Sequence, residues 1–182
     1  MASTLISKTF SSAGNRKTWT WSAWIKIAVD TSSNHTLMTQ IDGWAGNGNG
    51  GFYLNGERLE TYNLLSNVNS GTSSRVSANA NLRDPHGWYH IVLRFDTTQS
   101  TASDRVRWYI NGELQTSLTY ANYPSQNFDA NFNTAAAHGI GRHTNSNTYP
   151  YDGSMSHIHF CDGYSYAPTE FGETDSTTGE WK

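Results

Sequence analysis

Apolar and polar residues alternate most regularly over residues 87–114, GWYHIVLRFDTTQSTASDRVRWYINGEL. Tyr89, Ile91, Leu93 and Phe95 interleave with His90, Val92 and Arg94; Val106, Trp108 and Ile110 interleave with Arg107 and Tyr109. A period of two places each set on its own side of a pleated strand, so both runs predict strands with one apolar and one mixed face. Residues 96–104 between them carry no large apolar side chain and read as an exposed connection. Asn111-Gly112 closes the second run with the dipeptide that best tolerates positive φ in a tight turn. The pattern predicts an antiparallel hairpin around which the rest of the chain is arranged.

The same period marks residues 19–27, where Trp19, Trp21, Ala23, Ile25 and Ile27 oppose Thr20, Ser22, Trp24 and Lys26. Weaker runs at 4–10, 35–42, 52–54, 58–65, 74–82 and 138–142 predict further strands. The last strand is expected at 155–161, with Ile158 and Phe160 on one side and His157, His159 and Cys161 on the other. Residues 53–57 (YLNGE) and 109–113 (YINGE) echo each other, which is shared turn chemistry, since nothing else recurs at that spacing. Pro85 after Asp84 ends the strand before it, because proline donates no amide. Residues 117–133 read as an aromatic loop, and the tail from Ala167 predicts one helical turn at Pro168 lying over a sheet edge. The fold class is all-β: a two-sheet antiparallel sandwich with negligible helix, one domain over residues 1–182. Its expected core is Trp21, Ile25, Ile91, Leu93, Phe95, Val106, Trp108, Ile110, Ile158 and Phe160.

Composition supports this picture and narrows the partners. Charged residues are 15% and aromatics 13% of the 182 residues, a mixture suited to short strands and turns. A chain of this size hides about 70% of the surface its unfolded form exposes, enough for a core without cross-links. Cys161 is the one cysteine, so no internal disulfide forms, which fits assembly in a reducing cytoplasm. The formal net charge of −3 gives no basic track, and no nucleic-acid partner is expected. Residues 1–17 offer only Leu5-Ile6 where a signal peptide needs a longer apolar run, and nothing approaches the ~20 apolar residues of a membrane span. The expectation is a non-secreted protein without membrane insertion.

Trp88-x-His90-x-Val92, a polar connection, and an aromatic strand ending in Asn111-Gly112 resemble the central hairpin of laminin G-like domains. Those belong to the concanavalin A-like lectin and glucanase superfamily, so the resemblance implies a jelly-roll sandwich. Residues 152–163 (DGSMSHIHFCDG) and 166–175 (YAPTEFGETD) are similar to lectin-like domains in structural proteins of tailed bacteriophages, particularly marine ones. That likeness implies a virion protein, assembled in the host cytoplasm.

Four chemistries deserve testing against these residues. Glycoside hydrolysis needs two carboxyls flanking the scissile bond, which glucanases of this fold carry as Glu-x-Asp-x-Glu on one strand. No such pattern occurs; Glu57 and Glu60, the nearest pair, point to opposite sides of a strand, and the chain is not expected to be an enzyme. His157 and His159 share a strand face in this reading, and with His90 would suit zinc, although polar residues belong on that face anyway. Calcium is the cofactor that resembling domains bind at the sandwich rim. Asp42, Asn47, Asn49 and Asp152 offer oxygen ligands, but the same residues are ordinary turn formers.

Carbohydrate binding is the fourth. Aromatic faces and amide groups in loops hold sugars, and Trp44, Asn47, Asn49, Tyr62, Tyr123, Tyr149 and Tyr151 are suitable material. The competing use of these aromatics is burial between copies, as a homo-oligomer, or against other virion proteins. Together these readings predict a non-catalytic, lectin-like virion structural module that recognises a host-surface glycan on a phage tail fibre or appendage. The alternatives are a capsid decoration or assembly protein without sugar binding and, behind both, a glycoside hydrolase.

Overall fold

A computed structural model of the chain describes residues 4–27, 34–41, 50–62, 75–143 and 149–182. The strands are β1 (Ile6–Thr9), β2 (Thr18–Lys26), β3 (Asn34–Ile41), β4 (Gly50–Asn55), β5 (Arg58–Tyr62) and β6 (Val76–Ala78). They continue as β7 (Tyr89–Asp96), β8 (Val106–Ile110), β9 (Glu113–Leu114), β10 (Leu118–Ala121), β11 (Ala137–Ile140) and β12 (Ser154–Asp162). Single 3-10 turns at Ala102–Asp104 and Pro168–Glu170 are the helical elements among the described residues. No described helix is long and apolar enough to cross a membrane.

The strands form two antiparallel sheets that pack as a jelly-roll sandwich. The larger runs β1-β11-β3-β4-β5-β6-β10 and the smaller β12-β2-β7-β8-β9. The predicted central hairpin is β7–β8, with Leu93 opposite Trp108 and Phe95 opposite Val106. On the other side of β7 lies β2, whose Trp19, Trp21 and Ala23 pair with Phe95, Leu93 and Ile91. Period-two alternation therefore delivers one continuous apolar surface across three strands, fully buried against Leu37, Phe52, Leu54 and Leu59 of the larger sheet. Trp19 stacks on Phe95 at 4.7 Å and leans on Phe132 at 5.3 Å.

Several expectations need correction. Residues 117–133 are not all loop: Leu118–Ala121 forms β10, an edge strand pairing with β6. Its side chains are mostly exposed, so it carries no apolar alternation to read, while Phe132 from the same stretch is fully buried in the core. Ile110, Ile158 and Phe160 pack on the core only partly buried: Ile110 is the last residue of β8, and the other two lie on β12, the edge strand of its sheet. In β12 the register shifts between Ser156 and His159, and His157 adopts φ +49°. One extra residue there puts Met155 opposite Ile25 and Phe160 opposite Trp21, both on the core side despite their opposite parity. His157 and His159 therefore do not continue one alternating face.

The tail lies over the outer face of the smaller sheet, not over an edge. Thr20 Oγ1 donates to the Tyr164 carbonyl at 2.7 Å and accepts from the Tyr166 N–H at 2.8 Å. Trp181 Nε1–H donates to His90 Nδ1 at 2.9 Å. Under this cover Thr20, Ser22, His90 and Val92 are buried although they point away from the core.

Candidate functional site

The outer face of the larger sheet is built by register. Pairing sets Thr36 beside Tyr53, Tyr53 beside Glu60, Glu60 beside Ser77 and Ser77 beside Tyr120. Residues paired across antiparallel strands share a face, and the positions flanking this row (Phe52, Leu54, Leu59, Val76) point into the core. Thr36, Tyr53, Glu60, Ser77 and Tyr120 thus make one polar row across five strands on the side away from the core.

At the β10 end the row carries charge. Glu60 is buried and receives Arg75 Nη2–H at 2.5 Å and Asn55 Nδ2–H at 3.2 Å. The Arg75 guanidinium lies 3.9 Å from the centre of the Tyr120 ring, a cation–π arrangement. Burial pulls the Arg75 pKa down, but the hydrogen bond and attraction from Glu60 outweigh it and raise the value, so the guanidinium stays charged. Arg58 completes the group, its Nε–H donating to Asn81 Oδ1 at 2.9 Å. Asn55, Arg58, Glu60, Arg75 and Tyr120 line a hollow of about 180 Å³.

At the β3 end, the segment after β11 supplies aromatic and imidazole groups. Tyr53 Oη lies 3.3 Å from His143 Nε2, and the Tyr149 ring meets His143 edge-on at 5.7 Å. Tyr149 is held by its carbonyl, which accepts the Thr36 N–H at 3.0 Å, and its ring is 42% exposed. Burial lowers the His143 pKa, so the ring is neutral at pH 7 and offers one donor and one acceptor. The Thr36 and Thr39 hydroxyls are buried without a hydrogen-bond partner, as is Arg75 Nε. Unpaired buried polar atoms are costly, and these three are donors or acceptors available to a ligand on this face.

Of the residues proposed from sequence, Tyr149 falls at this site. Tyr62 ends β5 opposite Gly51, in the neighbouring row; its side chain lies outside the described residues. Asp42, Trp44, Asn47 and Asn49 also lie outside them, in the segment joining β3 to β4. Tyr151 is elsewhere: its phenol donates to the Lys26 carbonyl at 3.0 Å, its ring packs on the core, and burial pushes its pKa well up. Tyr123 packs against the core and lines a separate cleft with Arg107, its pKa raised by burial. Asp152 lines a separate cleft with Tyr151, and among the described residues no three His, Cys, Asp or Glu side chains group as a metal would require. Glu57 pairs with Arg83 at 3.1 Å while Glu60 pairs with Arg75, so each carboxylate is tied to its own cation. Arg75, Tyr120 and His143 were not singled out from sequence. The polar alternate positions of 58–65 and 74–82 were the visible signal for this face, and Tyr120 had none.

The family model for the concanavalin A-like lectin/glucanases superfamily matches residues 4–167. No curated protein matches the chain. Among solved structures, the CBM40 of Ruminococcus gnavus IT-sialidase shares 14% identity at a TM-score of 0.58, over 91% of this chain and 95% of that one. The same module bound to alpha2,6 sialyllactose gives a TM-score of 0.58 at 14% identity, over 91% of this chain and 94% of that one. Trypanosoma rangeli sialidase gives a TM-score of 0.51 at 14% identity, over 85% of this chain but only 22% of its own length. At such identities the likeness is one of fold.

Proposed function

The chain belongs to the concanavalin A-like lectin/glucanases superfamily, and from that premise we propose that it is a non-catalytic carbohydrate-binding module. Its glycan rests on the outer face of the larger sheet. The observation that carries this reading is Arg75, fixed by Glu60 and stacked on the half-exposed ring of Tyr120. A planar guanidinium already held in place loses little freedom when it takes up a carboxylate, and an exposed ring face suits sugar C–H groups. Arg58 adds a second cation, while the one carboxylate of the hollow is neutralised internally. An acidic glycan therefore fits better than a neutral one. Support comes also from the Ruminococcus gnavus module, which is bound to sialyllactose and is covered almost end to end.

The module's place is the surface of a bacteriophage particle, on a tail fibre or appendage that meets host glycans. The likeness of residues 152–163 and 166–175 to phage structural proteins supports this assignment. Binding of sialyllactose and of lactose to the wild type and to Tyr120→Ala tests the site. The expected result is sialyllactose binding that is weakened about tenfold in the variant, as one lost cation–π and stacking contact implies, with any response to lactose the same in both and an unchanged melting temperature. Equal affinity of wild type and variant for sialyllactose would remove the glycan from this face.

A further inference from the structure

Between the tail and the β8–β9 turn lies a larger cleft of about 760 Å³, lined by different residues from the arginine-bearing hollow and joined to it through Asn81, which accepts the Arg58 Nε–H. We propose that it is a second binding site, separate from the arginine-bearing face, and that it takes a neutral oligosaccharide. Its volume falls within the range of small-ligand sites. Its walls include two tryptophans, Trp88 and Trp181.

Trp88 is 44% exposed, so part of its ring is open to solvent in the cleft. Trp181 is held rigidly. Its ring stacks on His90 at 5.6 Å with an interplanar angle of 18° and its N–H donates to His90 Nδ1. The segment that carries it is a self-braced hairpin: Glu173 N–H donates to the Lys182 carbonyl at 2.8 Å, and Lys182 N–H returns to Glu173 at 2.9 Å. Gly112 makes room for the ring, since a Cβ there would stand 2.3 Å from it. Neither wall needs rearrangement to receive a ligand.

The polar groups decide the ligand class. Glu113, Glu180, Asn111 and Gln115 line the cleft, and no lysine or arginine does. Asn111 spends its Oδ1 on the His90 N–H at 2.8 Å, which leaves its NH₂ to donate. Neither glutamate belongs to an ion pair among the described residues. Two uncompensated carboxylates repel phosphate, sialic acid and nucleic acid. Ring faces combined with carboxylate and amide groups match the C–H patches and hydroxyls of an uncharged sugar chain.

Titration of the full chain with maltohexaose, cellohexaose and chitohexaose, followed by tryptophan fluorescence, tests the proposal. At least one of these is expected to shift the emission and bind, with the affinity reduced about tenfold or more in Trp88→Ala and less in Glu113→Gln. Tyr120→Ala should bind that sugar as the wild type does, and Trp88→Ala should keep its response to sialyllactose, which separates this site from the arginine-bearing face. Silence with all three sugars, or wild-type affinity in Trp88→Ala, overturns the proposal.

Discussion

His90 is where sequence and environment differ most. It stands in an alternating strand as an outward polar residue, yet it is buried between the sheet and Trp181. Because an indole N–H can only donate, Nδ1 must accept, so Nε2 carries the proton and donates to Ser22 Oγ at 2.9 Å. Burial, and secondarily repulsion from His159, lowers its pKa to about 4. Above the ordinary value of 6.5 both folded and unfolded chains hold it neutral, and stability is full. Between 6.5 and about 4 the unfolded chain takes up a proton that the folded chain refuses, so stability falls. The loss reaches up to about 3 kcal/mol from this group and adds to that from His138 and His143, whose pKa values burial also lowers. Urea unfolding at pH 7.5 and 4.5 should show the midpoint dropping in the wild type and dropping much less in His90→Gln. Parallel drops in both would clear His90.

At the scale of the element, β12 is the informative strand. Nine residues long and at the edge of its sheet, it offers backbone to any passing strand. The extra residue at His157 interrupts that ladder and also lets Met155 and Phe160 reach the same core. A histidine at φ +49° is under strain that glycine would not feel. His157→Gly is expected to raise stability by about 0.5–1 kcal/mol, and His157→Val to lower it by about 1–2 kcal/mol. Equal midpoints for the two variants in chemical denaturation would show that the strand has no bulge in solution. Alternation located β12 and set Ile158 and Phe160 on the core side, but it gave no sign that Met155, of opposite parity to Phe160, joins them there, because a bulge has no sequence signature as plain as a hairpin turn.

For the whole molecule, the tail makes a third layer. It converts the mixed outer face of β2 and β7 into an interior, and it forms one wall of the larger cleft. Gly112 is the joint: at φ +79° and against the Trp181 ring it accepts no side chain without displacing the tail. Gly112→Ala should cost about 2 kcal/mol, roughly 6 °C of melting temperature for a chain of this size, and should open the tail to a glutamate-specific protease. A wild-type melt and digestion pattern would mean that the tail contributes no stability.

The amino-acid sequence by itself determined four strands of the smaller sheet (β2, β7, β8 and β12, but not the two-residue β9), the β7–β8 hairpin and most of the core. Each of these rests on a period of two and on turn chemistry, which are local properties of neighbouring residues. The sequence likewise marked the asparagine-glycine turns after β4 and β8, each with a glycine at positive φ. What only the tertiary structure decided is which outward positions meet. Glu60, Arg75 and Tyr120 come from three places along the chain and become one site through the register of β5, β6 and β10. Trp88 and Trp181 come together because the tail folds back over the sheet. Register and chain return are set by packing between distant segments, so no window of sequence contains them.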